Sequence, residues 1–109
     1  LITKGYDLPA KHVIHTVGPV WHGGDNEEDA LLEDCYKNSL KLARIKELSS
    51  IAFPAISTGV YNFPPKRACH IAFQSVQDFI KRQDEINEVV FAVIGENIDI
   101  YKNNYSKYF

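Results

Sequence analysis

Ser50-Ile51-Ala52-Phe53-Pro54-Ala55-Ile56-Ser57-Thr58-Gly59-Val60-Tyr61-Asn62-Phe63-Pro64-Pro65 is the stretch on which the reading of this chain turns. Its first apolar run, Ile51 to Phe53, has the length and composition of a buried strand. The chain then enters a loop of small and hydroxyl residues around Gly59. A helical pattern begins just past Pro64, and Pro65 suits a first helical turn, where its missing N–H is no loss. Strand, small-residue loop and helix start, in that order, leave backbone N–H groups free at the mouth of a sheet. Such groups, aided by the positive end of a helix dipole, hold phosphate without a lysine. Glycine at position 59 lets a ligand approach the main chain closely. Tyr61 stands where it would pack against whatever the phosphate carries.

The same alternation extends outward on both sides. His12 to Val17 is rich in β-branched residues and predicts a strand, which Gly18-Pro19 stops. Leu1 to Tyr6 ends or begins another, and Gly5 and Pro9 punctuate the loop after it. Asp25 or Asn26 is a fit cap for the next helix, and Glu27, Glu28 and Asp29 suit its positive end. Leu32, Cys35, Tyr36, Leu40 (or Ser39) and Ala43 then recur at helical spacing, to about Leu48. Ala68, Ile71, Ala72, Val76, Phe79 and Ile80 form the stripe of the helix after Pro65. Polar residues from Lys81 to Glu88 precede a strand from Val89 to Ile94. That run has no polar alternation, which predicts cover on both faces. Asn97 is a candidate cap for a last helix carrying Ile100, Tyr101, Tyr105 and Tyr108.

Strands alternating with helices predict an α/β fold, with a largely parallel sheet between helix layers. Ligands of such sheets bind beyond the carboxyl ends of the strands, where the Ser57-Thr58-Gly59 loop and Gly95 fall. An open sheet of this kind has about five or six strands, and only three are evident here. The sequence therefore reads as the C-terminal part of a domain, or as a chain of reduced size. It contains no methionine, which points to a processed or excerpted polypeptide.

Bulk properties narrow the function classes. The formal net charge of −2 and the absence of basic runs argue against nucleic acid. The longest apolar runs are far too short to span a bilayer, and the start lacks a signal-peptide layout. Cys35 and Cys69 fall on the apolar sides of predicted helices, as reduced buried thiols do. Together these features predict a cytoplasmic protein with neither nucleic-acid nor membrane partners. His12, His15, His22 and His70 have no metal-ligand spacing, so no metal is predicted. Trp21 reads as a packing residue, and Lys66 and Arg67 as a solvated face.

Ile2-Thr3-Lys4-Gly5-Tyr6-Asp7-Leu8-Pro9-Ala10-Lys11-His12-Val13-Ile14-His15-Thr16-Val17-Gly18-Pro19 and Phe53-Pro54-Ala55-Ile56-Ser57-Thr58-Gly59-Val60-Tyr61 resemble the macrodomain family, in its MacroD-type branch. The helix from Leu31 to Leu40 and the ending Asp99-Ile100-Tyr101 resemble it too. The resemblance implies a three-layer α/β/α fold that binds ADP-ribose. Many members of this branch hydrolyse mono-ADP-ribose from protein side chains, or O-acetyl-ADP-ribose. Carried over, Ile56 to Asn62 would be a phosphate-facing loop, with Ser57, Thr58, Gly59 and Val60 giving backbone contacts to the diphosphate. Tyr61 would pack beside the distal ribose, and Ile94 would lie near adenine. The implied partner is ADP-ribose or a mono-ADP-ribosylated protein, and no cofactor is implied.

Three departures from the family pattern accompany the match. The N-terminal half, with its Asn-rich segment, glycine-rich loop and acidic residue, is not in this sequence. No Asn-Ala-Ala-Asn occurs, and the only adjacent glycines are Gly23-Gly24. Ile94 stands where an aromatic residue is usual, and Asn62 where glycine is common. No catalytic residue is therefore assigned within the chain, which reads as a single, N-terminally truncated macrodomain. A non-catalytic ADP-ribose reader and a ligand-free, self-associating fragment are the other function classes considered.

Overall fold

Two long helices, α1 (Glu28–Ile45) and α2 (Pro65–Arg82), carry most of the core. The computed structural model describes residues 2–5, 10–82 and 86–109. The loop punctuated by Pro9 and part of the polar stretch after Lys81 lie outside the described residues. α1 buries Leu32, Tyr36, Leu40 and Ala43, and α2 buries Ala68, Ile71, Ala72 and Val76. With Phe53 and Phe63 these side chains form one apolar cluster. Each large side chain in it is worth about 1.5–3 kcal/mol relative to exposure.

Among the described residues the strands form two separate ladders. β1 (Ile2–Lys4) and β2 (His12–Ile14) pair antiparallel, with Thr3 opposite Val13. β3 (Ser50–Phe53) and β4 (Glu88–Phe91) pair parallel, with Ile51 opposite Val89 and Phe53 opposite Phe91. The largely parallel sheet expected from the alternation is thus confined to β3 and β4. The connection from Lys4 to His12 is too short for the crossover that parallel neighbours need, so β1 and β2 meet head to tail. β2 stops at Ile14 rather than Val17, and its pairing with β1 among the described residues covers three residue pairs. β4 stops at Phe91, and one further bond, from the Ala92 amide to the Phe53 carbonyl at 2.8 Å, extends its pairing.

Ile51, Phe53, Val89 and Phe91 face the helices. On the other face Ala52 is exposed and Val90 is 43% exposed. The expectation that β4 is covered on both faces is therefore not met within this chain. A third helix, α3 (Asn97–Tyr105), packs through Tyr101 onto Phe73 and Phe91, with ring centroids 5.2 and 5.7 Å away. α2 consequently has a second apolar face, built on Cys69 and Phe73, beside the stripe read from the sequence. Ile80, assigned to that stripe, is 39% exposed.

α1 begins one turn before Leu32 and without the expected cap. Glu27 takes the N-cap position at φ 61°, and no side chain caps the first turn. Instead the buried Glu28 carboxylate turns back on the preceding loop. It accepts the amides of His22 (2.7 Å), Gly24 (2.9 Å) and Asn26 (2.6 Å). The architecture is the mixed α/β fold that the sequence implies. No helix among the described residues is long and apolar enough to cross a membrane.

Candidate functional site

The loop that leaves β3 is held from three sides. From below, the Tyr36 hydroxyl donates to the Pro54 carbonyl (3.3 Å) and accepts the Ile56 amide (3.4 Å). Burial pushes that phenol up to about 12, which keeps it a donor at neutral pH. From the β2 side, the Trp21 amide donates to the Tyr61 carbonyl at 2.9 Å. Gly18 lies against Ser57 and Ile56 so closely that a methyl group there would collide with Ser57 Oγ and with Ile56 Cγ2, 2.6 Å away. From α3, Asn97 Nδ2 reaches Thr58 Oγ1 at 3.4 Å, and Thr58 Oγ1 in turn donates to the Ala55 carbonyl at 2.8 Å. Asn97, read from the sequence as a helix cap, is therefore a loop anchor, and α3 starts without a side-chain cap.

Within these anchors the backbone turns sharply. Ser57 (φ 66°), Gly59 (φ 76°) and Asn62 (φ 59°) all adopt left-handed conformations. The Phe63 amide closes the turn on the Ser57 carbonyl at 3.0 Å, and Asn62 does so on Gly59 at 3.0 Å. A short 3-10 turn, Gly59–Tyr61, separates the glycine from α2, so the loop's own amides, rather than the first turn of α2, form the mouth. Among the described residues, nothing accepts a hydrogen bond from the amides of Ser57, Gly59 or Val60. A Cβ at Gly59 would meet open space. Free amides around an open glycine make a concave donor set of the kind that holds an anion.

Exposed apolar side chains stand on the loop and on the turn after β4. Val60 is 90% exposed and Tyr61 37% exposed. Ile94, 83% exposed, lies past the end of β4 in a turn that passes Gly95 (φ 61°) before Asn97 docks on Thr58. The parallel β3 and β4 thus end side by side, one leading into the glycine loop and the other into the Ile94 turn. A slot of about 1380 Å³ opens beside them and reaches Ile56, Ser57 and Tyr61. Among the described residues the Ser57 hydroxyl is buried without a hydrogen-bond partner.

The remaining residues singled out in the sequence fall elsewhere. Asp29 pairs with Arg67, whose Nε donates at 2.7 Å and Nη2 at 2.5 Å. Arg67 also lies over the Trp21 ring, 4.9 Å from its centroid, so this exposed side chain, on the solvated face read from the sequence, also latches α1 to α2. Trp21 packs on Phe63 at 4.9 Å. Three backbone amides, His22's foremost, hold the Glu28 carboxyl down at about 2. Cys35 and Cys69 are free and buried, and burial pushes the Cys69 thiol up to about 11. His15 Nε2 pairs with Thr3 Oγ1 at 3.0 Å.

Sequence reasoning placed the loop but missed its anchors. Tyr36 was legible only as a stripe residue of α1, and Gly18 only as a strand stop. Nothing in the spacing of Asn97 distinguishes a cap from a side chain reaching across to Thr58.

The macro domain family model matches residues 1–72. A macro domain-containing protein of Methanosarcina mazei is 56% identical over 92 residues, which are 84% of this chain and 49% of that protein. The O-acetyl-ADP-ribose deacetylase of Klebsiella pneumoniae is 53% identical over 96 residues, 88% of this chain and 55% of the enzyme. The Oceanobacillus iheyensis macrodomain, solved with ADP, superposes with a TM-score of 0.92 at 40% identity, over 98% of this chain and 56% of its own. The chain thus spans about half the length of the relatives it matches. On the family model, the relatives and the superposition alike, this chain belongs to the macro domain family.

Proposed function

We propose that this chain supplies the diphosphate-binding loop of an ADP-ribose site. The observation that carries the reading is the set of free amides at Ser57, Gly59 and Val60 around an open, left-handed glycine. In this reading those amides, with Ile56, Thr58 and Asn62 shaping the turn, receive the diphosphate. Tyr61 packs beside the distal ribose, and Ile94 offers an aliphatic contact to adenine. The ligand in the O. iheyensis structure and the name of the K. pneumoniae relative support the ligand class.

The parent domain, in the same reading, cleaves mono-ADP-ribose from proteins or deacetylates O-acetyl-ADP-ribose. Glycosidic cleavage at the distal ribose develops oxocarbenium character, so ribose and water must be held in near-attack geometry. This chain's part is the holding. Its amides fix the diphosphate, and the anchored backbone of Tyr61 limits how far the ribose can drift. Glu28 and Asp29 are engaged by backbone amides and by Arg67, and neither is assigned as acid or base. Calorimetric titration with ADP-ribose, ADP and NAD tests the proposal. Saturable binding that favours ADP-ribose supports it, and a folded chain that takes none of them overturns it.

A further inference from the structure

The loop that carries the free amides is bent against the preference of one of its own residues. Ser57 stands at φ 66°, a left-handed backbone that few non-glycine residues adopt. Asn62 shares that region of conformation, but asparagine visits it readily and serine does not. Nor does the Ser57 side chain offset the bend, since its buried hydroxyl has no partner among the described residues. A serine in this state persists only where its surroundings impose it. Two side chains do so, one on each side. Before Ser57, the Tyr36 hydroxyl bridges the Pro54 carbonyl (3.3 Å) and the Ile56 amide (3.4 Å). After it, Asn97 Nδ2 meets Thr58 Oγ1 (3.4 Å), which itself donates to the Ala55 carbonyl (2.8 Å) and closes the turn around Ser57. Both anchors are fixed in turn. Tyr36 is fully buried, with its ring 4.9 Å from that of Phe53. Asn97 is buried at the start of α3, which Tyr101, one turn on, pins against Phe73 and Phe91.

We propose that Tyr36 and Asn97 are positioning residues for the diphosphate loop. From its two sides they hold Ser57 left-handed before any ligand arrives, and so keep the amides of Ser57, Gly59 and Val60 presented at the mouth. The inference deepens the ADP-ribose reading and rests on it for the identity of the ligand. In this assignment neither side chain touches the ligand, and each acts through the backbone it holds. A loop already in its binding conformation binds more tightly, because none of the binding energy is spent on ordering it. Released from an anchor, Ser57 relaxes toward negative φ, which L residues favour over the left-handed state by about five- to thirtyfold. The binding-competent fraction of the chain then falls by a like factor.

Position 57 itself supplies the control. Glycine takes left-handed backbone about as readily as right-handed, so Ser57→Gly makes the anchors largely dispensable. The full 109-residue chain is compared with Tyr36→Phe, Asn97→Ala, Ser57→Gly and each anchor change combined with Ser57→Gly. Tyr36→Phe keeps the ring in the core and deletes one oxygen, and Asn97→Ala stands in if that change unsettles the fold. Calorimetry reads ADP-ribose affinity, and backbone chemical shifts of Ala55 to Val60 in the ligand-free chain read the conformation at position 57. Either anchor variant should lose the left-handed signature of Ser57 and bind ADP-ribose about five- to thirtyfold more weakly. In the Ser57→Gly background the same change should cost no more than about twofold, the scatter of independent sites. A merely structural role would lower Tm in both backgrounds and rescue nothing. Two results overturn the inference: anchor variants that keep the left-handed signature, or affinity losses that are equal in the serine and glycine backgrounds. An unmodified chain that takes no ADP-ribose, with anchor variants that still release Ser57, upholds the positioning and removes the ligand reading alone.

Discussion

Gly59 allows the binding reading to be tested by two substitutions that share one backbone cost. Its φ of 76° is a conformation that L side chains adopt at a cost of about 1–2 kcal/mol. A Cβ there meets nothing within 4 Å, so no collision adds to that cost. Gly59→Ala and Gly59→Glu should therefore lose similar stability. For a domain of this size that is a fall in Tm of about 4–8 °C per kcal/mol. They should differ in binding. A methyl leaves the amides of Ser57, Gly59 and Val60 accessible, and the alanine variant should keep ADP-ribose affinity within a few fold. A carboxylate about 4 Å from a phosphate costs about 1 kcal/mol per charge in a water-like medium and about 4 kcal/mol at an effective dielectric of 20. That range spans about fivefold to about a thousandfold in Kd. The glutamate variant should thus bind at least about fivefold more weakly than the alanine variant. Calorimetric titration beside thermal denaturation measures both quantities. Equal affinities for the two variants would refute the loop assignment. Unequal losses of Tm would refute the claim that the space beyond Gly59 is empty.

Other residues give sharper single tests. Tyr61→Ala should weaken ADP-ribose more than ADP, since only the former carries a distal ribose; equal losses in parallel titrations would remove Tyr61 from that role. Gly18→Ala should cost more stability than Gly59→Ala, because its methyl collides with Ser57 and Ile56 where overpacking costs about 1–3 kcal/mol. A smaller fall in Tm than at Gly59 would contradict the close approach. The Glu28 carboxyl lies near 2 in the fold, below its ordinary 4.5. Its stabilising effect is therefore complete above the ordinary value and is lost as pH falls from about 4.5 toward about 2. Across that window the Tm of the unmodified chain should fall more steeply than that of Glu28→Gln. Parallel slopes would show that the carboxylate does not anchor the His22 to Asn26 loop.

What the sequence made legible was whatever follows from local periodicity. The stripe Leu32, Tyr36, Leu40 and Ala43 faces the core as its spacing requires, and Ile51 to Phe53 lies in a strand. The glycine loop was found because strand, small residues and helix start are contiguous. What depends on distant neighbours was not legible. Phe73 looks like a mid-helix aromatic off the stripe, and its place is fixed only when Tyr101 and Phe91 arrive against it. The reading of Glu27-Glu28-Asp29 as helix-dipole charge was too simple. Glu28 faces backward to three amides, and Asp29 reaches a guanidinium 38 residues away. The strand ends failed for a related reason. Val17 and Ile94 continue apolar runs, but a ladder ends where its partner does, and both side chains are 83% exposed. The candidate site residues Ile56 to Asn62 share one loop by contiguity, whereas Ile94 belongs to the turn after β4, which reaches that loop through Asn97 crossing to Thr58.

Trp21 is the only tryptophan of the chain. Its indole packs against Phe63 and against the Arg67 guanidinium, and its amide is bonded to the Tyr61 carbonyl. An emission spectrum excited at the indole band therefore has a single origin, one residue-to-residue bond away from the glycine loop. A cation above the ring shifts the energy of its excited state, so displacement of Arg67 or of the loop changes colour or intensity. The molecule carries its own optical gauge at the rim of its proposed binding mouth, and stopped-flow mixing can time events there without any attached dye.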